Sequence, residues 1–178
     1  MGRLKGISPL LSPDLLHTLS SMGHGDELVM MDPREEEGGV DVLADANFPT
    51  ASMCKDGAKQ VRADGHSIPA LLEAILTLMP LDTYCWSPVS VMDVTDKDRC
   101  RGLTDPPVWP QYKRLLKEAE QRDIPLQTME RFDFYDRARK AFAIVQTGET
   151  ALYGNIILKM GVIAEDSQTE PPTAGKSA

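Results

Sequence analysis

Segments with the apolar spacing of a helix alternate along this chain with short β-rich runs, and this alternation restricts the fold more than any other feature. Ser12-Pro13-Asp14 is a typical helix start, because Ser12 can cap the helix and Pro13 suits its first position. We therefore predict an α/β fold, a single three-layer domain in which helices cover a mixed β-sheet. The predicted helices begin at Pro13 and Ser67 and cover 110–122 and 134–141, and the predicted strands cover 28–31, 40–44, 89–94, 143–146 and 155–162.

The chain length bounds the number of domains. Its 178 residues suffice for one sizeable core but are short for two, so we place one domain at residues 1–164. An acidic loop at about 31–42, with Glu35-Glu36-Glu37 and a Gly-Gly pair, is expected to interrupt this domain. Residues 165–178 are polar and contain Pro171-Pro172 but no apolar run, so they are expected to form a disordered C-terminal tail.

Charge and cysteine usage exclude several classes of function. The formal net charge of -8 repels phosphate backbones, and the basic residues form no continuous face, so we expect no nucleic-acid partner. The first residues lack the long apolar run and the cleavage site of a signal peptide, and we expect no membrane association. Cys54, Cys85 and Cys100 form neither a disulfide framework nor a zinc cluster. We therefore expect a cytoplasmic protein.

Three short polar features are candidates for a functional site. They are the Gly23-His24-Gly25-Asp26 turn, the Asp-Ala-Asn-Phe-Pro corner at 45–49, and the Tyr153-Gly154-Asn155 turn. None of them matches a general nucleotide, metal or nucleophile motif. We accordingly expect no cofactor and no metal.

His24 lies where the first helix gives way to the first strand. Gly23 is well suited to end that helix in a left-handed conformation, which would leave His24 projecting from the turn. Histidine exchanges protons near neutral pH, so an accessible His24 suits general acid-base catalysis. From the residues alone, a capping or merely exposed histidine explains the pattern equally well. Tyr135 falls in an aromatic cluster, for which core packing is the default interpretation.

A longer series of motifs carries a resemblance to known proteins. In chain order the motifs are Leu-Leu-Ser-Pro from Leu10, Met-Gly-His-Gly-Asp-Glu from Met22, Asn-Phe-Pro from Asn47, Arg-Ala-Asp-Gly from Arg62, Pro-Leu-Asp-Thr-Tyr from Pro80, Glu-Arg-Phe-Asp-Phe-Tyr from Glu130, Ala-Phe-Ala from Ala141, and Thr-Gly-Glu-Thr-Ala-Leu-Tyr-Gly-Asn from Thr147. Together they resemble the family of ring-interconverting sugar enzymes that comprises ribose pyranase and fucose mutarotase, and specifically the animal type of L-fucose mutarotase. The resemblance runs from the first helix to about Ala164.

The resemblance implies an isomerase that uses no cofactor. Its reaction would be the interconversion of the α and β anomers of L-fucose, by acid- and base-assisted opening and reclosure of the pyranose ring. The catalytic histidine and tyrosine of the family fall on His24 and Tyr135. Family members form assemblies in which subunit contacts can complete the sites, so we also expect a homo-oligomer. By the same resemblance, the sugar-contacting positions fall on Asp45, Asp82, Arg131, Tyr153 and Asn155.

One departure from the family pattern leaves a choice between two aspartates. Family members run directly from the Gly-His-Gly-Asp-Glu strand into the sugar-binding aspartate, whereas extra residues intervene here. Counting forward from His24 selects Asp32, but the Ala-Asp-x-Asn-Phe-Pro context belongs to Asp45, which we favour. Two other interpretations stay open, namely a non-catalytic monosaccharide-binding protein of the same fold and a structural or interaction protein.

Overall fold

The structure, a computed structural model, describes residues 4–31 and 57–163. The predicted strand at 40–44, both rival aspartates Asp32 and Asp45, the acidic loop beyond Met31 and the tail lie outside the described residues. The described helices are Pro13–Ser21 (α1), Ile68–Leu76 (α2), Asp96–Cys100 (α3), Trp109–Glu120 (α4) and Arg131–Arg139 (α5). The described strands are Glu27–Met31 (β1), Lys59–Ala63 (β2), Val89–Met92 (β3), Gln127–Met129 (β4), Ala143–Thr147 (β5) and Ile156–Lys159 (β6).

The six described strands form one mixed sheet in the order β2-β5-β1-β6-β3-β4. Five of them run in the same direction, and β6 runs antiparallel to both of its neighbours, β1 and β3. Val29 illustrates the register, because it faces Ile144 on the parallel side and Ile157 on the antiparallel side. The expected mixed sheet is therefore confirmed, and its odd strand lies in the middle.

Both faces of the central strands are covered. Residues 28–31 of β1 are fully buried, as are all four residues of Val89–Met92 in β3. Successive side chains of a strand point to opposite faces, so complete burial requires a layer on each side of the sheet. This arrangement agrees with the predicted three-layer α/β domain.

Helices α1 and α2 begin where the sequence predicts, but the residue that caps α2 is not the serine in front of it. Ser12 caps α1 as predicted, because its Oγ accepts the Leu15 N–H at 3.2 Å. Ser67 precedes α2 in an extended conformation but makes no side-chain cap. The buried Glu149 supplies it instead, since its Oε2 accepts the Ile68 N–H at 3.0 Å. A carboxylate at this end of the helix also interacts favourably with the positive end of the helix dipole.

The end of α1 differs from the prediction. Met22 follows α1 in an extended conformation with φ -75° and ψ 147°, so Gly23 is not the left-handed residue that ends the helix. The chain instead turns between Gly23 and Asp26, where the Asp26 carboxylate accepts the Gly23 N–H at 2.8 Å. Gly25 takes the left-handed conformation, with φ +89°. His24 is therefore held inside a turn of its own.

Helix α5 begins earlier than predicted and is less exposed. Glu130 caps it, because Oε2 accepts the Phe132 N–H at 2.6 Å, and this moves the start to Arg131. The residue pattern of the predicted helix at 134–141 places Arg137 on its water-facing side, which is wrong. The Arg137 guanidinium forms an ion pair with Glu27 at 2.7 Å and donates to Ser90 Oγ at 2.9 Å, which ties α5 to β1 and β3.

Gly161 allows a close crossing of two segments just after β6. Its N–H donates to the Pro80 carbonyl at 2.8 Å, and an added Cβ would lie 2.6 Å from the Leu81 carbonyl carbon. We expect Gly161→Ala to lower the free energy of unfolding by about 2 kcal/mol, because neither backbone can move away freely. Denaturant unfolding would measure the loss. Gly23→Ala is the control, since its nearest atom would be 3.8 Å away, and equal losses would contradict the prediction.

Candidate active site

The turn that carries His24 is fastened to the end of β6. The Gly25 N–H donates to the Met160 carbonyl at 2.9 Å, and the Met160 N–H donates to the Asp26 carbonyl at 2.8 Å. This pairing exists because β6 is antiparallel to β1, so that the residues after β6 lie beside the residues before β1. His24 is thereby placed next to side chains that are remote from it in the sequence.

Asp82 is the direct partner of His24. Its Oδ1 lies 3.3 Å from His24 Nε2 and accepts the Tyr84 N–H at 2.9 Å, while its Oδ2 lies 3.1 Å from Lys159 Nζ. The Asp82 residue is only 1% exposed, whereas 45% of the His24 side chain is exposed. The imidazole is accordingly accessible to a substrate, and the carboxylate lies behind it. We call His24, Tyr84, Asp82 and Lys159 the His24 group.

The surroundings of Asp82 decide its charge. Burial by itself raises the pKa of the carboxyl, but the hydrogen bonds from the Tyr84 N–H, Lys159 and His24 outweigh burial and hold the pKa at about 2. Asp82 is therefore a carboxylate at neutral pH. Buried charges are tolerated where such partners are present.

This lowered pKa predicts a pH-dependent contribution to stability. Because the pKa is about 2 in the folded chain and near 4 in an unfolded one, the Asp82 contribution is complete above about pH 4 and is lost as the pH falls towards 2. We expect Lys159→Met to lower the free energy of unfolding by about 2 kcal/mol at neutral pH, with a difference that shrinks over that window. Urea unfolding at several pH values would measure it.

Lys113→Met is the matched control, because Lys113 is exposed on α4. It should leave the unfolding free energy within about 0.5 kcal/mol at every pH. A loss in Lys159→Met that stayed constant from pH 7 to pH 2 would mean that Lys159 acts through packing and not through its charge.

Tyr84 projects beside His24, and Trp86 follows two residues later in the chain. The Tyr84 ring lies 5.5 Å from the His24 ring at a tilt of 54°, and Tyr84 and Trp86 are each 78% exposed. Large exposed aromatic rings are typical of surfaces that contact a ligand or another protein. Neither the contact between Tyr84 and His24 nor the ion pair of Lys159 was predicted from the sequence, because neither belongs to a general catalytic pattern.

The Tyr153-Gly154-Asn155 turn lies at the other end of β6. Tyr153 has a positive φ of 58°, and its carbonyl accepts the Trp109 indole N–H at 3.0 Å. The Gly154 carbonyl accepts the Tyr112 hydroxyl at 2.6 Å. Both acceptors of the turn are thus held by aromatic side chains of α4, which is what supports an unusual backbone conformation at this point.

The Tyr153 hydroxyl has internal partners. It donates to Asp98 Oδ2 at 2.5 Å and accepts the Thr95 N–H at 3.2 Å, and the residue is 2% exposed. Burial and the bond to Asp98 raise the pKa of Tyr153, and the Tyr153 bond lowers the pKa of Asp98 more than burial raises it. The phenol is therefore neutral and directed at a carboxylate, so its hydroxyl stabilises the turn.

Arg131 and Asn155 share the edge of the sheet on which this turn lies. Asn155 directly precedes β6 and is 4% exposed. Arg131 begins α5 just after β4, whose last residue, Met129, pairs with the last residue of β3. The Arg131 guanidinium lies 5.0 Å from the centre of the Phe132 ring. We call Arg131, Tyr153 and Asn155 the Asn155 group.

Tyr135 lies in the middle of α5. Its ring meets the Phe132 ring edge to face at 6.3 Å, and the side chain is half-buried. Helix α5 begins with Arg131 at one end of the strands and extends towards the opposite end, where β1 begins and Arg137 binds Glu27.

The His24 group and the Asn155 group lie at opposite ends of the strands of the sheet. Asn155 precedes β6 and Met160, which anchors the His24 turn, follows it. At about 3.3 Å per residue of strand, this separates the two anchoring points by about 17 Å, more than the width of a monosaccharide ring. Asp45 lies outside the described residues, so its position relative to either group is not part of this geometry.

Neither a metal cluster nor a membrane span is found in the described part of the chain. Within residues 4–31 and 57–163, no three His, Cys, Asp or Glu side chains are arranged to hold a metal ion. No helix in those same segments is long and apolar enough to cross a bilayer.

Comparison with known proteins identifies the family. The sequence pattern of the RbsD / FucU transport protein family matches residues 5–34 and 40–163. This chain belongs to the RbsD / FucU family. The interruption between the two matched segments, residues 35–39, falls inside the predicted acidic loop.

Relatives in the RbsD / FucU family cover nearly the whole chain. The fucose mutarotase of Mus musculus is 53% identical over 163 residues, which are 92% of this chain and 97% of the mouse protein. The fucose mutarotase of Homo sapiens is 52% identical over 164 residues, again 92% and 97%. This chain is also similar to the fucose mutarotase from Streptococcus pneumoniae, whose crystal structure was solved in complex with L-fucose. The sequence identity is 42% and the TM-score is 0.75, over 90% of this chain and 100% of the other. The family resemblance and the α/β fold predicted from the sequence are both confirmed.

Proposed function

We propose that this protein is an L-fucose mutarotase, an isomerase that interconverts the α and β anomers of L-fucose. The observation that carries the proposal is its similarity, over 90% of the chain, to a fucose mutarotase whose crystal structure holds L-fucose. The exposed His24 imidazole, backed by a buried carboxylate, supplies the proton-exchanging group that this reaction requires.

The reaction needs one base and one acid. His24 accepts the proton of the anomeric hydroxyl while Tyr135 donates a proton to the ring oxygen, so that the bond between C1 and the ring oxygen breaks and an aldehyde forms. The carbonyl then turns and the ring closes on the other face, which returns both protons. Reactants and products have the same oxidation state, so the chemistry requires no electron carrier, and in this proposal the acid-base pair carries both proton transfers. Each proton transfer typically accelerates such a step by about 10² to 10⁴.

We further propose that the working form is a homo-oligomer whose sites are shared between copies. A sugar bound at the Asn155 group of one chain is too far from the His24 of that chain to exchange a proton with it, because β6 separates the two groups by about 17 Å. If the His24 group of one copy lies against the Asn155 group of another copy, the base and the bound sugar come together in one site. The exposed Tyr84 beside His24, and the exposed Trp86 two residues further along the chain, supply aromatic surface for such a contact.

The remaining assignments concern the sugar. Asp45, Asp82, Arg131, Tyr153 and Asn155 are the proposed sugar-binding residues, with the Arg131 guanidinium as a rigid donor to sugar hydroxyls. In this state the Tyr153 hydroxyl and the Asp82 carboxylate are engaged by protein partners, so we assign the first direct hydrogen bond to the Arg131 guanidinium. The free thiols Cys85 and Cys100 fit a reducing, cytoplasmic compartment.

Saturation-transfer NMR of L-fucose tests the function directly. The signal of one anomer is saturated and the decrease of the other is followed with and without protein. We expect transfer only in the presence of the protein. Binding of L-fucose without accelerated exchange would replace the enzyme by the monosaccharide-binding alternative, and the absence of both would overturn the proposal. D-Ribose and D-galactose, measured in the same way, establish the specificity.

A further inference from the structure

The contacts of Asp82 determine which nitrogen of His24 carries the proton. A carboxylate only accepts hydrogen bonds, and Asp82 Oδ1 lies 3.3 Å from His24 Nε2. The neutral imidazole that satisfies this contact has its hydrogen on Nε2 and an unprotonated Nδ1. A carboxylate that binds one ring nitrogen fixes the tautomer of a histidine in many catalytic sites.

Lys159 and the backbone fix the carboxylate in turn. Lys159 Nζ holds Oδ2 at 3.1 Å, the Tyr84 N–H holds Oδ1 at 2.9 Å, and the Asp82 N–H donates to the Lys159 carbonyl at 3.0 Å. Asp82 is thus bound to the end of β6 through both its side chain and its backbone. With three donors on two oxygens and 1% exposure, it has little capacity left for a sugar hydroxyl.

We propose that Asp82 and Lys159 are positioning residues that hold His24 with its proton on Nε2, so that Nδ1 accepts the proton of the anomeric hydroxyl. The inference rests on the proposed function and makes it more specific, because it names the reacting atom. It also gives Asp82 a place behind the histidine and not against the sugar. Lys159 acts only through Asp82, by neutralising part of its charge.

Two substitutions alter the charge near His24 in opposite directions. Asp82→Asn removes the negative charge but keeps an oxygen for the Tyr84 N–H. Lys159→Met removes the positive charge that partly neutralises the Asp82 carboxylate, so that His24 is exposed to the full negative charge. We expect the acid limb of the pH-rate profile to move to lower pH in Asp82→Asn and to higher pH in Lys159→Met. A purely structural role would move both in the same direction or neither. The other titratable groups close to the His24 turn and to Asp82 are Asp26, Tyr84 and Cys85, and all three are unchanged in both variants.

NMR of ¹⁵N-labelled protein without sugar reads the tautomer independently of activity. We expect the wild-type His24 to show a protonated Nε2 and an unprotonated Nδ1, and Asp82→Asn to show a mixture of tautomers. His17 and His66 serve as internal references, and the His24→Ala spectrum assigns the signals. An unchanged tautomer in Asp82→Asn would overturn the inference.

Kinetics separate positioning from sugar contact. We expect Asp82→Asn to lower kcat for anomer exchange by about 10- to 100-fold with little change in KM. Lys159→Arg should keep most of the activity that Lys159→Met loses, and Lys113→Met should resemble the wild type. A large rise in KM with the tautomer unchanged would return Asp82 to the sugar-binding residues. If the wild type failed to accelerate exchange, the proposed function would fail while the tautomer measurement still judged the inference.

Discussion

His24→Ala is expected to reduce the protein-dependent exchange of L-fucose anomers by about 10² to 10⁴, because it removes the group that accepts the anomeric proton. The exposed imidazole makes no contact on which the core depends, since its partner Asp82 keeps the Tyr84 N–H and Lys159. The fold should therefore survive, and the loss should appear in kcat. Saturation-transfer NMR measures it directly, at sugar concentrations above and below KM.

His17→Ala is the matched control for this substitution. His17 is an exposed histidine on α1, and its ring contacts Lys59 Nζ at 3.3 Å on the surface. Its replacement should leave exchange unchanged, which excludes a general effect of losing an imidazole. Unchanged exchange in His24→Ala would remove His24 from the mechanism. Tyr135→Phe, which deletes only a hydroxyl, applies the same test to the proposed acid.

Mixed assemblies of two inactive variants are expected to regain activity. His24→Ala lacks the base and Arg131→Ala lacks a residue of the Asn155 group, and these residues lie at opposite edges of the sheet. If each site takes His24 from one copy and Arg131 from another, random 1:1 mixing leaves about a quarter of the sites intact. Co-expression with two different tags and tandem purification would isolate the mixed assemblies. Their exchange rate should reach about a half of the wild-type rate if the assembly is a dimer, and should approach about a quarter for larger assemblies.

The alternative arrangement gives a different number. Sites built within one chain would give mixed assemblies only the average activity of the two variants, which is close to zero. Mixing His24→Ala with His24→Ala under the second tag is the control for effects of the tags and the purification. An exchange rate at that control level would contradict shared sites, while leaving the proposed reaction in place.

Local signals predicted the elements but not their arrangement. The Ser12 cap and the apolar runs after it located α1 and β1, because capping and periodicity act within one or two turns. Helix α3 and strands β2 and β4 were not predicted, since they are short and rely on neighbours for burial. The direction of β6 was also not readable, because an antiparallel strand and a parallel one have the same apolar pattern when both faces are buried.

The family motifs name candidate site residues one by one, and these assignments stay predictions, but the motifs do not give the arrangement of the side chains. Asp82 and Lys159 lie far apart in the sequence. The pairing of Leu81 with Met160 places Asp82 at the end of β6, and the antiparallel pairing of β1 with β6 places both residues beside His24. The left-handed residue was assigned to Gly23, whereas the Asp26 carboxylate takes the Gly23 N–H and the sharp turn falls on Gly25. Side-chain partners of this kind carry no sequence periodicity, so pattern analysis does not detect them.

The position of β6 bears on where this family can accept changes in length. A single residue deleted from Ile156–Lys159 would turn its buried side chains to the wrong face and shift one anchoring point by about 3.3 Å relative to the other. The sequence just after β1 imposes no such condition, since the family match resumes at residue 40 after an interruption at 35–39. Natural variation in length should therefore accumulate between β1 and β2, while the four residues of β6 keep a constant count.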